Sequence, residues 1–294
     1  MKIGITVGYG VGMSRPDVLA EIAIHAERLN FSTLLIPEHV VVFEQYSSRY
    51  PYTEDGLMAI RSDRPFLNPY VGLAYVAALT RRIRLITNIS IVAAHNPLIL
   101  AKEIATLDYL SGGRFALGAG LGWLREEFQA LGIAFERRAR RTRECIAVMR
   151  SLWSEPSTTF HGEFFNIDNA MAYPKPVQGG SLPILFGGES EAALKRVATI
   201  GDGWIGANMT PEEFAAKRER LFALASQAGR DPERLVMMTV PAFKPERPAD
   251  LKRYREAGVH ELVLMQGLPK RLEEVAPVLE QMAREWVEPA MQLG

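Results

Sequence analysis

Residues 83–123, IRLITNISIVAAHNPLILAKEIATLDYLSGGRFALGAGLGW, limit the fold more than any other stretch. An apolar run, a helix-patterned segment and a second apolar run follow one another without interruption. That order describes one strand–helix–strand crossover, which joins two parallel strands by a right-handed connection. Both runs end in small or polar residues, at 87–90 and 118–122. The carboxyl ends of parallel strands are where α/β proteins bind ligands.

Runs of the same kind recur at 3–7, 33–36, 83–92, 115–118, 183–186, 203–205, 235–240 and 261–265. Each is short and apolar throughout, as a strand buried on both faces requires. Eight such strands alternating with helices predict an α/β fold of the (β/α)8 TIM-barrel type. A chain of 294 residues with 48% hydrophobic content can fill one such barrel as a single domain over 1–294. Ser14 before Pro16 and Asp17 predicts a helix cap. Leu100, Ile104 and Leu107 share one helical face opposite Lys102, Thr106 and Tyr109, and Gly112–Gly113 ends that helix. The last helix carries Leu272, Val275, Ala276, Leu279, Ala283 and Trp286 on one stripe.

Two insertions exceed a minimal barrel. Residues 40–68, after the second strand, are too long for a plain connection, and Phe43, Tyr46, Tyr50, Tyr52 and Phe66 suit an ordered lid. Residues 155–181, after the fourth helix, include TTFHGEFFNI, a hairpin pattern turning near His161–Gly162.

Lys and Arg number 34, as do Asp and Glu, so the zero formal charge argues against nucleic acid or an anionic membrane as partner. The Arg-rich stretch 137–143 (RRARRTR) reads as the solvated start of an amphipathic helix. Cys145 is the single cysteine and falls on an apolar helical face, which fits a reducing, cytoplasmic setting. The opening MKIGITVG reads as a strand rather than a signal peptide, and no apolar run approaches the ~20 residues that span a bilayer.

Several rim positions carry candidate chemistry. The second strand ends in Pro37-Glu38-His39, and histidine is the side chain best matched to proton transfer near neutral pH. Equally, Glu38 and His39 could cap the strand and pair with a neighbour. Thr87 and Asn88 are ordinary turn formers. Gly118-Ala119-Gly120-Leu121-Gly122 lacks Rossmann spacing, with Trp123 where the motif would continue. Phe186-Gly187-Gly188-Glu189-Ser190 opens a helix and gathers free N–H groups, either as an anion site or as a turn capped by Ser190. His95 lies on the same rim, whereas His25, His161 and His260 read as structural. Neither a metal motif nor a nucleophile elbow is present.

The segment 96–123 resembles the signature of the luciferase-like flavin and deazaflavin oxidoreductases, and within them the branch using coenzyme F420. The resemblance covers most of 1–206 and fades beyond. It implies an F420-dependent oxidoreductase that moves a hydride to or from a small organic substrate. The alternatives are an FMN-dependent monooxygenase and a non-catalytic flavin-binding barrel. It implies that His39, assisted by Glu38, handles the proton; the acid at position 38 is usually Asp. A bulge, often with a cis peptide, is expected at Thr87–Asn88, pressing Thr87, Asn88, Ile89 and Ser90 against the ring. Gly118 and Gly120 would let the ring approach. Gly187, Gly188 and Ser190 would hold the cofactor phosphate, with Glu189 turned away. Trp123 stands where sugar-phosphate dehydrogenases of the family have a catalytic acid, which argues against that activity and for a more apolar pocket; Glu126 or Glu127, one turn later, are the alternative sources of a carboxylate. Trp123 and His95 are expected to line the substrate pocket, and the chain to form a homodimer.

Overall fold

Parallel pairing dominates the sheet. In the computed structural model, which describes residues 1–8, 10, 14–58, 64–241 and 248–293, the elements run as follows. The first half holds β1 (Lys2–Thr6), α1 (Pro16–Arg28), β2 (Thr33–Ile36), α2 (Pro69–Leu79), β3 (Arg84–Thr87), β4 (Ser90–Ile91), α3 (Pro97–Ser111), β5 (Phe115–Gly120), α4 (Arg125–Ala130) and α5 (Arg138–Ser154). The second half holds β6 (Thr158–His161), β7 (Asn166–Ala170), β8 (Ile184–Gly187), α6 (Glu191–Ile200), β9 (Gly203–Ala207), α7 (Pro211–Gln227), β10 (Val236–Val240), α8 (Leu251–Glu256), β11 (Glu261–Leu264), α9 (Val275–Met282) and α10 (Glu288–Gln292).

The strand order β3-β2-β1-β11-β10-β9-β8-β5-β4 closes on itself where Leu85 and Ile86 of β3 pair with Phe115 and Ala116 of β5. The expected (β/α)8 barrel is therefore formed, with every barrel strand parallel and all carboxyl ends on one rim. Side chains alternate across each strand. Leu35, Ile86, Leu185, Ile205, Met238 and Val263 fill the interior, while the larger core lies between strands and helices. Trp204, next to the interior Ile205, faces outward and stacks on Phe214 of α7 at 4.9 Å.

Helix starts repeat one device. Asn68, Asn96 and Thr210 each accept a backbone N–H from the first turn, and each is followed by proline. Proline loses nothing there, because that N–H has no partner within the helix. Ser14 departs from expectation: Arg15 occupies the cap position of α1, and the Ser14 hydroxyl donates instead to the Pro65 carbonyl at 3.2 Å. Gly112 and Gly113 end α3 with φ of 69° and 84°. Leu272 remains exposed, so the buried stripe near the C-terminus begins at Val275.

The expected strand over 83–92 is broken. β3 ends at Thr87, a cis peptide joins Asn88 to Ile89, and β4 resumes for two residues. The interruption sits one residue later than the position carried over by resemblance. The expected hairpin forms as β6 and β7, antiparallel. Its turn is held by the Glu144 carboxylate, which accepts the N–H groups of Glu163, Phe164 and Phe165.

Candidate active site

At the carboxyl rim lies a cavity of about 730 Å³, bordered by the ends of β2, β8, β9 and β10 and by part of the segment after β2. That volume is ordinary for a site enclosing a cofactor-sized ligand. Of the anticipated residues, Glu38, His39, Asn88, Ile89, Trp123, Gly187, Gly188 and Ser190 border it. Thr87, Ser90, His95, Gly118 and Gly120 stand behind its wall.

Neighbouring residues at a strand end point to opposite sides, and this separates Glu38 from His39. The Glu38 carboxylate is 5% exposed and saturated. It accepts Ser90 Oγ at 2.8 Å and Ile91 N at 2.7 Å, and pairs with His95 Nε2 at 3.0 Å. Tyr70 adds its hydroxyl to Ser90 at 2.6 Å. Burial alone would raise Glu38 and lower His95; their mutual hydrogen bond and charge reverse both, leaving Glu38 below and His95 above its ordinary range. The pair therefore braces β4 against β2. His95 serves that brace rather than lining the pocket.

The partner of His39 is Glu127, in the first turn of α4 and fully buried. His39 Nδ1 donates to Glu127 Oε2 at 3.0 Å, while Glu127 Oε1 takes the N–H groups of Val40 at 2.6 Å and Val41 at 3.3 Å. One carboxylate thus fixes both the ring and the chain leaving β2. With Nδ1 committed to a carboxylate, Nε2 is the nitrogen left to exchange a proton. Phe66 and Trp123 hold the ring edge-on at 5.5 and 5.9 Å. Glu127 entered the sequence reading only as a stand-in acid. The available signal was local: Glu127 precedes the buried Phe128 in a turn whose other side is charged and open.

The glycines of β5 do not face the cavity. A methyl group on Gly118 would run into the Thr87 carbonyl oxygen, and one on Gly120 into the Ile89 side chain. On β8, a methyl on Gly187 would come within 2.6 Å of Ile89 Cδ1. These three glycines make room for the broken strand, so the expected role of Gly118 and Gly120 in ring approach is replaced by one in packing. Thr87 locks the junction: its Oγ1 donates to the Gly118 carbonyl at 2.8 Å and accepts the Gly118 N–H at 3.0 Å. Asn88 Nδ2 reaches Thr6 Oγ1 at 3.2 Å.

The opposite end of the cavity is cationic. Ser190 caps α6 by accepting the Ala193 N–H at 3.2 Å, and the Trp204 indole donates to the Gly188 carbonyl at 2.9 Å, holding the turn at φ 106°. Arg196, one turn into the helix, and Arg138 border the same end. Burial, then Arg143 and Arg138, hold the Arg196 guanidinium below its ordinary value, and no carboxylate among the described residues pairs with it. The stretch 137–143 is thus not simply a solvated face. Arg138 donates to the Phe135 carbonyl at 2.9 Å and Arg141 to the Ala93 carbonyl at 2.9 Å, because positions three apart share the inward side. Glu189 turns away from this end, accepting the Ala207 N–H at 3.0 Å. Burial raises its carboxyl, and Tyr52 donates to it.

Residues 40–58 are tied down by three acids from two places, the first turn of α4 and the turn after β8. Besides Glu127 and Glu189, Glu126 accepts Ser47 N at 2.6 Å and Ser48 Oγ at 2.7 Å. Burial opposes its charge, but these donors outweigh it and bring Glu126 down to about 2. The described part of the predicted lid is therefore ordered over the cavity; 59–63 lie outside the described residues. No group of three or more metal-ligating side chains occurs among the described residues.

A parallel barrel whose rim combines an apolar slot, a carboxylate-held histidine and a cationic end has the form of an enzyme site at the carboxyl ends of its strands. The chain belongs to the luciferase-like monooxygenase family, whose model matches residues 1–293; its members are oxidoreductases and monooxygenases. An uncharacterized protein of Mycobacterium tuberculosis is 34% identical over 264 residues, covering 88% of this chain and 90% of that one. Among solved structures, the monooxygenase RslO1 from Streptomyces bottropensis superposes with a TM-score of 0.75 at 21% identity, covering 98% of this chain and 99% of that one. An F420-dependent secondary alcohol dehydrogenase in complex with an F420-acetone adduct gives 0.75 at 20%, covering 95% and 97%.

Proposed function

We propose that this chain is an F420-dependent oxidoreductase whose His39 gives or takes the proton that accompanies hydride transfer to or from a small organic substrate. The observation that carries this reading is the His39–Glu127 pair at the cavity wall. A barrel that merely stored a flavin would need no imidazole held by a buried carboxylate beside the ring site. When bound, the deazaflavin supplies or takes up a hydride at a ring carbon. Ile89 and the backbone of Asn88 form the wall against which the ring would lie, with Gly187 packed beside Ile89 in the same wall. Gly188, Ser190 and Arg196 would hold its phosphate, where free N–H groups of α6 and a guanidinium on the cavity wall suit an anion.

Cationic groups extending beyond one phosphate favour F420 over FMN. FMN ends at its phosphate, whereas the F420 tail continues with further negative charge that Arg138, on the same cavity wall as Arg196, can meet. Titration of the protein with each cofactor, followed by cofactor fluorescence, tests this. Micromolar F420 binding, weaker FMN binding and an approximately tenfold loss of F420 affinity in Arg196→Ala are expected. Tighter FMN binding would move the assignment to an FMN-dependent monooxygenase; binding of neither would leave a non-catalytic barrel.

We further propose a cytoplasmic homodimer. Cys145 is buried, and burial pushes its thiol up to about 12, which suits a chain that never forms a disulfide. Helix α2 carries no charged residue along Pro69–Leu79, yet Val71 is 71% exposed, and α3 packed beside it leaves Leu110 66% exposed. Such a face is suited to a second copy. Sedimentation equilibrium should give the dimer mass for the native chain and the monomer mass for Val71→Glu; a monomeric native chain would remove the proposal.

A further inference from the structure

We infer that the substrate is an uncharged, apolar ring compound that offers a single hydrogen-bonding group to His39; this rests on the reading of the cavity as a reaction chamber. The ground is the polarity of the wall around His39. Trp123 meets His39 edge-on at 5.9 Å, Tyr50 at 5.1 Å and Tyr46 at 5.5 Å, and Phe66 closes the other side of the imidazole. Edge-on aromatic contacts of this spacing form a surface complementary to flat or alicyclic rings.

Several polar groups near this wall are already engaged. Both Glu38 oxygens take protein donors, and the Tyr46 hydroxyl accepts the Met58 N–H at 2.9 Å. Tyr52 gives its hydroxyl to Glu189. A phosphate, carboxylate or polyol entering here would shed water and find too few partners to replace it. A ring with one carbonyl would lose nothing comparable.

The wall is also built in advance. Ser47 and Ser48, which separate Tyr46 from Tyr50, are bonded to Glu126, and Arg125 N donates to Ser48 Oγ at 2.9 Å. Glu126 and Arg125 stand on the turn that follows Trp123. Lid aromatics and Trp123 are thereby fixed to one another rather than gathered by the ligand. Trp123 is the centre of the box and the residue that sets its polarity.

Ligand-observed NMR on the cofactor-free and the cofactor-saturated protein tests the inference, with cyclohexenone as the neutral ring probe and glucose 6-phosphate as the charged polyol probe. Cyclohexenone is expected to bind and glucose 6-phosphate to give no transfer. Trp123→Ala should weaken cyclohexenone binding at least tenfold, while Trp123→Phe stays within threefold and shows that the lid still folds. Preference for glucose 6-phosphate, or cyclohexenone affinity unchanged in Trp123→Ala, would overturn the substrate class. F420 binding accompanied by such a result would leave the cofactor assignment standing. Loss of F420 binding with Trp123-dependent cyclohexenone binding would do the reverse.

Discussion

His39→Ala is expected to cut turnover about 10²-fold or more while F420 affinity stays within about threefold. The two readouts separate because of where the side chain stands. Cofactor contacts are assigned to the ends of β3 and β8 and to α6, none of which depends on His39. The imidazole touches Phe66, Trp123 and Glu127 and otherwise borders the cavity. Its removal leaves a space of roughly one ring, so added imidazole should restore part of the lost rate. A merely structural histidine would show no such rescue. Stopped-flow measurement of the change in deazaflavin absorbance with a competent substrate gives the rate directly. Turnover equal to the native enzyme's would remove His39 from the mechanism, whatever the cofactor.

Much of this arrangement was legible in the sequence, and the residues explain which part. Barrel strands announce themselves because each is buried on both faces, so every residue of Thr33–Ile36 or Ile184–Gly187 had to be apolar or small. The rim position of Pro37-Glu38-His39 followed from strand order alone. Side-chain partners did not. Glu38 and His39 are adjacent in the chain, which suggested a pair, but strand geometry sends them to opposite sides. Glu38 reaches His95, 57 positions away, and His39 reaches Glu127, 88 positions away. Both contacts depend on how loops fold over the rim, and no local periodicity encodes that. The arginines of 137–143 were legible in part for a similar reason: Arg137, Arg140 and Arg143 are exposed as expected, whereas Arg138 and Arg141 turn inward to carbonyls of the segments that follow β5 and β4.

The glycines of β5 supply the largest expected effect on stability. Gly118→Ala should cost more than about 4 kcal/mol, a range reached only when backbone must move. The methyl group would have to occupy the position of the Thr87 carbonyl oxygen. Neither strand can yield. β5 is paired on one side with β3 and on the other with β8, and Thr87 Oγ1 is bonded to both the N–H and the carbonyl of Gly118. Gly120→Ala is the informative control, because its new methyl meets the end of the flexible Ile89 side chain, which can change rotamer at about 1–3 kcal/mol. Thermal melts should then rank native above Gly120→Ala above Gly118→Ala, with the last recovered poorly in soluble form. Equal melting temperatures for native and Gly118→Ala would contradict the packing account. The ranking also separates two meanings of a glycine at a rim. Had Gly118 been required for ring approach, alanine there would weaken cofactor binding and spare the fold; because its neighbour is the Thr87 carbonyl, the fold itself fails first.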